Sequence, residues 1–137
     1  MVMRIKRPNG ADNRLTKPGA LYRYYVYAGT QPFTINANST ATDSFTINDD
    51  ADFICWYITA RYTDPQLRLQ IRVTKTNVFN RAVDVANIAG TGAESNIIPY
   101  KTPLYFGRKE TCNLDWTDYS GAENKVSLTF VGYEIVK

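Results

Sequence analysis

The sequence contains no histidine. That absence excludes the Ser/His and Cys/His nucleophile systems and the usual imidazole proton shuttle, and it removes the commonest zinc ligand. Cysteine is almost as scarce. Cys55 and Cys112 are the only two, they lie far apart, and they form no CxxC pair. No run approaches the ~18 apolar residues that a membrane span needs, and Met1 to Gly10 lacks the apolar stretch of a secretory signal. In that setting two reduced, buried thiols are expected rather than a disulfide. No window repeats at 3.6 residues, so helices are not expected, and no internal repeat or low-complexity tract is visible.

What is present is aromatic and apolar. The chain has 137 residues and a mass of 15.5 kDa, enough for one domain with its own core. Aromatic residues make up 13%, and ten of them are Tyr. The formal net charge of +3 is unevenly placed. Residues 1–20 carry Arg4, Lys6, Arg7, Arg14 and Lys17 against Asp12 alone, so the rest of the chain is close to neutral. Pro8-Asn9-Gly10 and Lys17-Pro18-Gly19 punctuate this basic segment, which reads as an extended N-terminal arm. Residues 21–137 read as one β domain.

Strand signals dominate that domain. Leu21 to Ala28 is Tyr- and Val-rich and ends at Gly29, and Ser44 to Asn48 is a short strand. Asp52 to Tyr62 is strand-like throughout with two largely apolar faces, Ile54, Trp56, Ile58 and Ala60 on one and Phe53, Cys55 and Tyr57 on the other. Leu67 to Thr74 alternates with period two. The C-terminal run alternates as Val126, Leu128 and Phe130, then shifts at Gly132 to Val131, Tyr133 and Ile135, which predicts a β-bulge there. Weaker strands fit Val83 to Ile88, Leu104 to Arg108 and Thr111 to Leu114. The expected fold class is all-β, an antiparallel β-sandwich or jelly roll.

Candidate chemistry is thin. Asp49, Asp50 and Asp52 resemble a Ca²⁺ loop only in composition; a polar turn leading into a strand explains them better. Asp115 and Asp118 flank Trp116, the arrangement of a carboxylate pair, within what reads as a polar loop over Asn113 to Asp118. Gly90-Thr91-Gly92 lacks both the GK[ST] ending and a following helix, so a turn is expected rather than a phosphate cradle. Asn38-Ser39-Thr40 matches the glycosylation sequon, which matters only in a secreted chain. Tyr22-Arg23-Tyr24-Tyr25 has the aromatic-basic mix of single-strand nucleic-acid binders, but the near-neutral body lacks the electrostatics for nucleic acid. The chain reads as a non-enzyme without cofactor or metal. Surplus aromatic strand surface beside a basic arm suits a protein that buries surface against other subunits.

A resemblance joins these features. Phe45-Thr46-Ile47-Asn48-Asp49-Asp50-Ala51-Asp52-Phe53 leads into the long strand, followed by the alternating Leu67 to Val73 segment and the Gly90-Thr91-Gly92 loop. Ile98-Pro99-Tyr100 with Thr102-Pro103-Leu104 comes next, and Val126-x-Leu128-x-Phe130-x-Gly132-Tyr133 closes the pattern. In order and spacing this resembles the small β-sandwich (jelly-roll) minor virion structural proteins of tailed bacteriophages, of the capsid cement or decoration type. The resemblance implies a structural protein of the virion, made in the bacterial host cytoplasm and placed on the capsid surface. Its partners would be the major capsid protein and copies of itself, as a dimer or trimer, with no membrane. Arg4, Lys6, Arg7, Arg14 and Lys17 of the arm, with Tyr22, Tyr24, Trp56 and Tyr57, are the expected contact residues. A head–tail connector or tail component is the alternative within the resemblance. A carbohydrate-binding β-sandwich using Trp116 as a stacking platform for a glycan is the alternative outside it.

Overall fold

The computed structural model describes residues 21–89 and 103–136. The basic arm and the Gly90-Thr91-Gly92 loop lie outside those residues. Among the described residues there are ten strands: β1 (Leu21–Ala28), β2 (Phe33–Ile35), β3 (Thr40–Thr46), β4 (Ala51–Tyr62), β5 (Leu67–Val73), β6 (Thr76–Asn77), β7 (Val83–Asp84), β8 (Leu104–Phe106), β9 (Thr111–Asp118) and β10 (Asn124–Val136). They form two antiparallel sheets. The first runs β1-β10-β4-β8, with β2 continuing the line of β1 along β10. The second runs β3-β9-β5, with β6 and β7 both on the far side of β5. If β1 with β2, and β6 with β7, are taken as single interrupted strands, the chain passes from sheet to sheet at every connection except the β5–β6 hairpin, which is jelly-roll order.

The inner layer follows from alternation. Leu67, Leu69 and Ile71 of β5 meet Cys112, Leu114 and Trp116 of β9 across one sheet, all buried. Phe53 and Ile58 of β4 with Val126, Leu128 and Phe130 of β10 line the other. Tyr27 joins them by stacking on Phe45 at 5.4 Å and meeting Phe53 edge-on at 4.8 Å. Burying these side chains is the main source of stability, at ~25 cal/mol per Å² of apolar surface removed from water.

The expected strand at Thr111 to Leu114 extends to Asp118, so Trp116 is in β9 and not in a loop. The ladder with β3 and β5 continues over the full length and overrides the polar composition of that stretch. Likewise Val83 to Ile88 is a strand only at its start, and Val85–Asn87 forms a 3-10 turn.

The bulge lies at Gly132, but the extra residue belongs to the opposite strand. Val131 pairs with Tyr57 and Gly132 with Cys55, which leaves Trp56 as the surplus residue of β4. β10 therefore keeps its phase throughout, and β4 changes phase at the bulge. Ile58 and Ala60 turn inward with Phe53 and Cys55, whereas Ile54 and Trp56 turn outward. This corrects the expected partition of β4, which assumed unbroken alternation. A Cβ on Gly132 would collide with the carbonyl oxygen of Ile54. The close approach of backbone to backbone explains the glycine.

Candidate interaction face

The outer surfaces of the two sheets differ in kind. On the β3-β9-β5 sheet the outward residues are polar: Thr40, Thr42, Ser44 and Thr46 of β3, Thr111, Asn113, Asp115 and Thr117 of β9, and Arg68, Gln70 and Arg72 of β5. Arg72 grips Asp115 through two bonds of 3.2 Å, and Thr42 donates to the same carboxylate at 2.8 Å. Partial burial pushes the Asp115 carboxyl up, but the bonds from Arg72 and Thr42 outweigh it and hold the group below the usual carboxylate range.

On the β1-β10-β4-β8 sheet the outward side is aromatic at one end, with Tyr133 and Ile54 buried and Tyr24 and Val26 exposed. Tyr133 is at its centre, with the Tyr22 ring edge-on at 5.9 Å and the Trp56 ring stacked at 6.2 Å. Ile54, Ile135 and Tyr105 complete this second apolar cluster. Tyr24 sits opposite Tyr133 in the ladder and Val26 opposite Val131, and both remain exposed, at 52% and 38%. Tyr57 pairs with Val131 from the other side and shares the same face. Thus Tyr22, Tyr24, Trp56 and Tyr57, four residues picked out from sequence, lie together on one surface. Arg4, Lys6, Arg7, Arg14 and Lys17 fall outside the described residues. Toward the other end the face turns polar, and Gln31, Thr59, Arg61, Ser127 and Thr129 line a shallow depression of about 440 Å³.

Beneath the aromatic end the interior is charged. Glu134 is fully buried and points inward, directly opposite Arg23 of β1. Nε and Nη2 of Arg23 both lie 2.7 Å from Glu134 Oε1. The Tyr27 hydroxyl donates to Oε2 at 2.7 Å, and Asn48 Nδ2 donates to the same oxygen at 3.3 Å. Arg23 also reaches Asp50 at 3.4 Å. The bond to Glu134 is the chief reason its guanidinium holds its proton more tightly than usual. Burial, in turn, pushes the Tyr27 hydroxyl above its ordinary range. A buried carboxylate is tolerated when paired and hydrogen-bonded, as here. The sequence signal was available as a single charge inside the apolar run Val131 to Val136. Alternation alone does not show that this charge is buried, because the partner that neutralises it, Arg23, lies on a different strand.

The remaining candidates separate. Asp115 faces out and Asp118 faces in, so they do not form a carboxylate pair. Asp118 accepts from the Asn38 N–H at 2.9 Å, the Ser120 hydroxyl at 2.7 Å and Asn124 Nδ2 at 3.2 Å, tying two loops together. The three aspartates before β4 also diverge: Asp49 and Asp50 lie in an exposed turn, while Asp52 accepts from the Tyr105 hydroxyl and the Arg108 N–H. Among the described residues no group of three His, Cys, Asp or Glu side chains is placed to hold a metal. Trp116 is 1% exposed, so it is a core residue and not a stacking platform. Strand alternation splits Tyr22-Arg23-Tyr24-Tyr25, turning Arg23 and Tyr25 inward. Cys55 and Cys112 are buried and unpaired, and burial raises both thiols, Cys112 to about 12. What the face can do chemically is bury aromatic area against a partner.

No family model and no curated protein matches the sequence. Among solved structures, the chain is similar to the VP2 subviral particle of infectious bursal disease virus, at 18% identity and a TM-score of 0.41. The match covers 88% of this chain and 36% of that one, so this chain spans about a third of that protein's length.

Proposed function

We infer that this chain is a structural protein of a bacteriophage virion, a cement that binds the shell of major capsid protein and stabilises it. The observation that carries the reading is the aromatic outer end of the β1-β10-β4-β8 sheet. It presents Tyr24, Val26 and Tyr57 where a solvent-facing sheet would carry the Thr, Ser and charged residues of the opposite sheet. Large amphipathic rings on a rigid strand suit a protein contact, because they bury much area for little lost rotamer freedom. The order of motifs from Phe45 to the C-terminus supports the phage assignment, and the basic residues of segment 1–20 offer a second contact to neighbouring subunits. Each contact is modest, and the symmetry of a shell multiplies it.

Co-sedimentation with shells of the cognate major capsid protein tests the reading. The full chain is expected to pellet with shells, and Tyr57→Ser to bind about tenfold more weakly, the effect of losing one aromatic anchor. Removal of residues 1–20 is expected to weaken decoration while circular dichroism still reports a β-fold. Shells that leave the full chain in the supernatant would overturn the proposal. Imaging of particles separates cement from the connector reading: density spread over the shell marks a cement, and a ring at one vertex marks a connector.

A further inference from the structure

We propose that two copies of this chain join through the edge of β1 that no other described strand covers, antiparallel and β1 against β1, with the two-fold axis passing through Tyr24. The inference rests on the reading of the chain as an assembly protein and names the surface and partner of its self-association.

The edges of the two sheets are unequal. β8 has three residues, and β6 and β7 have two each, too few to hold a ladder. β3 has seven, but its exposed side chains are Thr and Ser. β1 has eight residues and, among the described residues, pairs on one side only, with β10. Natural edges are usually blunted by Lys, Pro, a bulge or an inward charge that disrupts pairing. β1 has no Lys and no Pro, and its register runs unbroken from Leu21↔Val136 to Ala28↔Thr129. Its one charge, Arg23, is neutralised within the chain by Glu134. Among the described residues, three of the four large hydrophobic side chains that stand exposed, Leu21, Tyr24 and Val26, lie on this strand.

The strand is complementary to itself. Centring the pair on Tyr24 sets Tyr24 against Tyr24, Tyr22 against Val26, Arg23 against Tyr25 and Leu21 against Tyr27. Residues directly opposite share a face, so aromatic outer surface meets aromatic outer surface across the axis. Arg23 then faces a Tyr25 ring, repeating the contact of 5.7 Å that it makes with Tyr25 in its own chain. Centring on Arg23 would oppose two guanidinium groups. Centring on Tyr25 pairs as many residues but leaves the exposed Leu21 outside the ladder, where the Tyr24 register leaves only Ala28. Centring between Tyr24 and Tyr25 would set the outer face of one copy against the inner layer of the other. Of these four registers, only the one centred on Tyr24 pairs Leu21, Tyr24 and Val26 without opposing two guanidinium groups or crossing faces.

Sedimentation equilibrium of the full chain, in reducing buffer, reads the mass directly. The wild type is expected at about twice 15.5 kDa, and Val26→Lys at the mass of a single chain with an unchanged circular dichroism spectrum. Tyr24→Cys supplies the second readout. Opposed residues of an antiparallel pair have Cα atoms about 4.5–5.5 Å apart, within the reach of a disulfide. Copper–phenanthroline in air should therefore link Tyr24→Cys into a covalent dimer and leave Ser44→Cys, on the edge strand of the other sheet, as single chains. A wild-type mass of one or three chains overturns the inference, as does Tyr24→Cys that fails to cross-link. A single-chain wild type that still binds shells overturns the pairing and leaves the virion role standing. A Val26-dependent dimer that ignores shells overturns the role and leaves the pairing standing.

Discussion

Gly132→Ala adds one methyl group against the main chain of β4, the tightest site among the described glycines. The new Cβ would overlap the Ile54 carbonyl oxygen, with the Ile54 carbonyl carbon at 2.8 Å and the Cys55 Cα at 3.0 Å. All three are main-chain atoms, so no side chain can swing away to make room. Overpacking of this kind costs about 1–3 kcal/mol, and a purely backbone obstacle places this site at the upper end. Against that, alanine lowers the entropy of the unfolded chain, which returns about 0.4–1 kcal/mol. The clash wins, and a net loss of about 2 kcal/mol is expected. For a chain of this size that is a fall of about 8 °C in melting temperature. Urea unfolding followed by circular dichroism measures the loss, with an unchanged slope showing that the two-state comparison holds.

The cause can be isolated. Deleting Trp56 removes the surplus residue of β4 and restores one continuous register with β10, because Tyr57 then follows Cys55 directly. The face of every other residue is preserved. In that background the alanine at 132 should cost about 1–2 kcal/mol less than in the full chain, a coupling typical of residues in contact. An equal cost in both backgrounds, or a cost below about 0.5 kcal/mol in the full chain, would refute the argument that the bulge is what demands glycine.

Two further outcomes follow from the carboxylates and thiols. Asp84 is held below the usual range chiefly by the Tyr119 hydroxyl and then by Arg68, and at Asp115 and Asp118 hydrogen bonds outweigh the opposing effect of burial. Folded carboxyls of this kind bind protons less readily than unfolded ones. Their stabilisation is therefore intact at neutral pH, and it is lost as pH falls below about 4 and through the depressed folded values. Asp115→Asn should be less stable than the wild type at pH 7, with the gap closing in acid; a gap constant with pH would contradict the assignment. Ellman's reagent should label neither Cys55 nor Cys112 in the native chain and both in urea, since burial disfavours the thiolate that reacts. Rapid stoichiometric labelling of the folded protein would contradict it.

Much of the fold was legible because period-two alternation survives where one face is buried and the other wet. β1 has the bounds that its Tyr and Val content implied, and Leu67 to Val73 is a half-buried strand as its pattern required. The three-residue β2 and two-residue β6 carry too few residues for any pattern. β9 was truncated in the reading because Asp115, Thr117 and Asp118 looked like a loop; in the fold Asp115 and Thr117 face solvent, and Asp118 is buried as a hydrogen-bond hub. The irregularity at Gly132 was visible, but a glycine that tolerates a bulge across the ladder looks the same as a glycine that makes one. Unbroken alternation therefore groups Ile54 and Trp56 with Ile58 and Ala60, whereas the bulge parts the two pairs and turns Tyr57 outward with the first. Of the candidate site, Tyr22 and Tyr24 were legible by alternation within one strand. Their meeting with Trp56 through Tyr133 was not, because it depends on which strand holds the extra residue.

The charged pair Arg23–Glu134 beneath the aromatic surface has a consequence for direction. Along β10 the inner layer passes from Val126, Leu128 and Phe130 to Gly132 and Glu134, while the outer layer passes from Ser127 and Thr129 to Tyr133 and Ile135. Hydrophobicity crosses from one side of the sheet to the other partway along a single strand. The molecule is consequently a vector and not merely a two-faced plate: one end of one sheet is aromatic on its outer side, while the other end and the opposite sheet are polar. Under the proposed role, an object of that kind laid on a repeating lattice settles in one orientation. Turning it end for end would place Thr59, Arg61 and Ser127 where the rings belong.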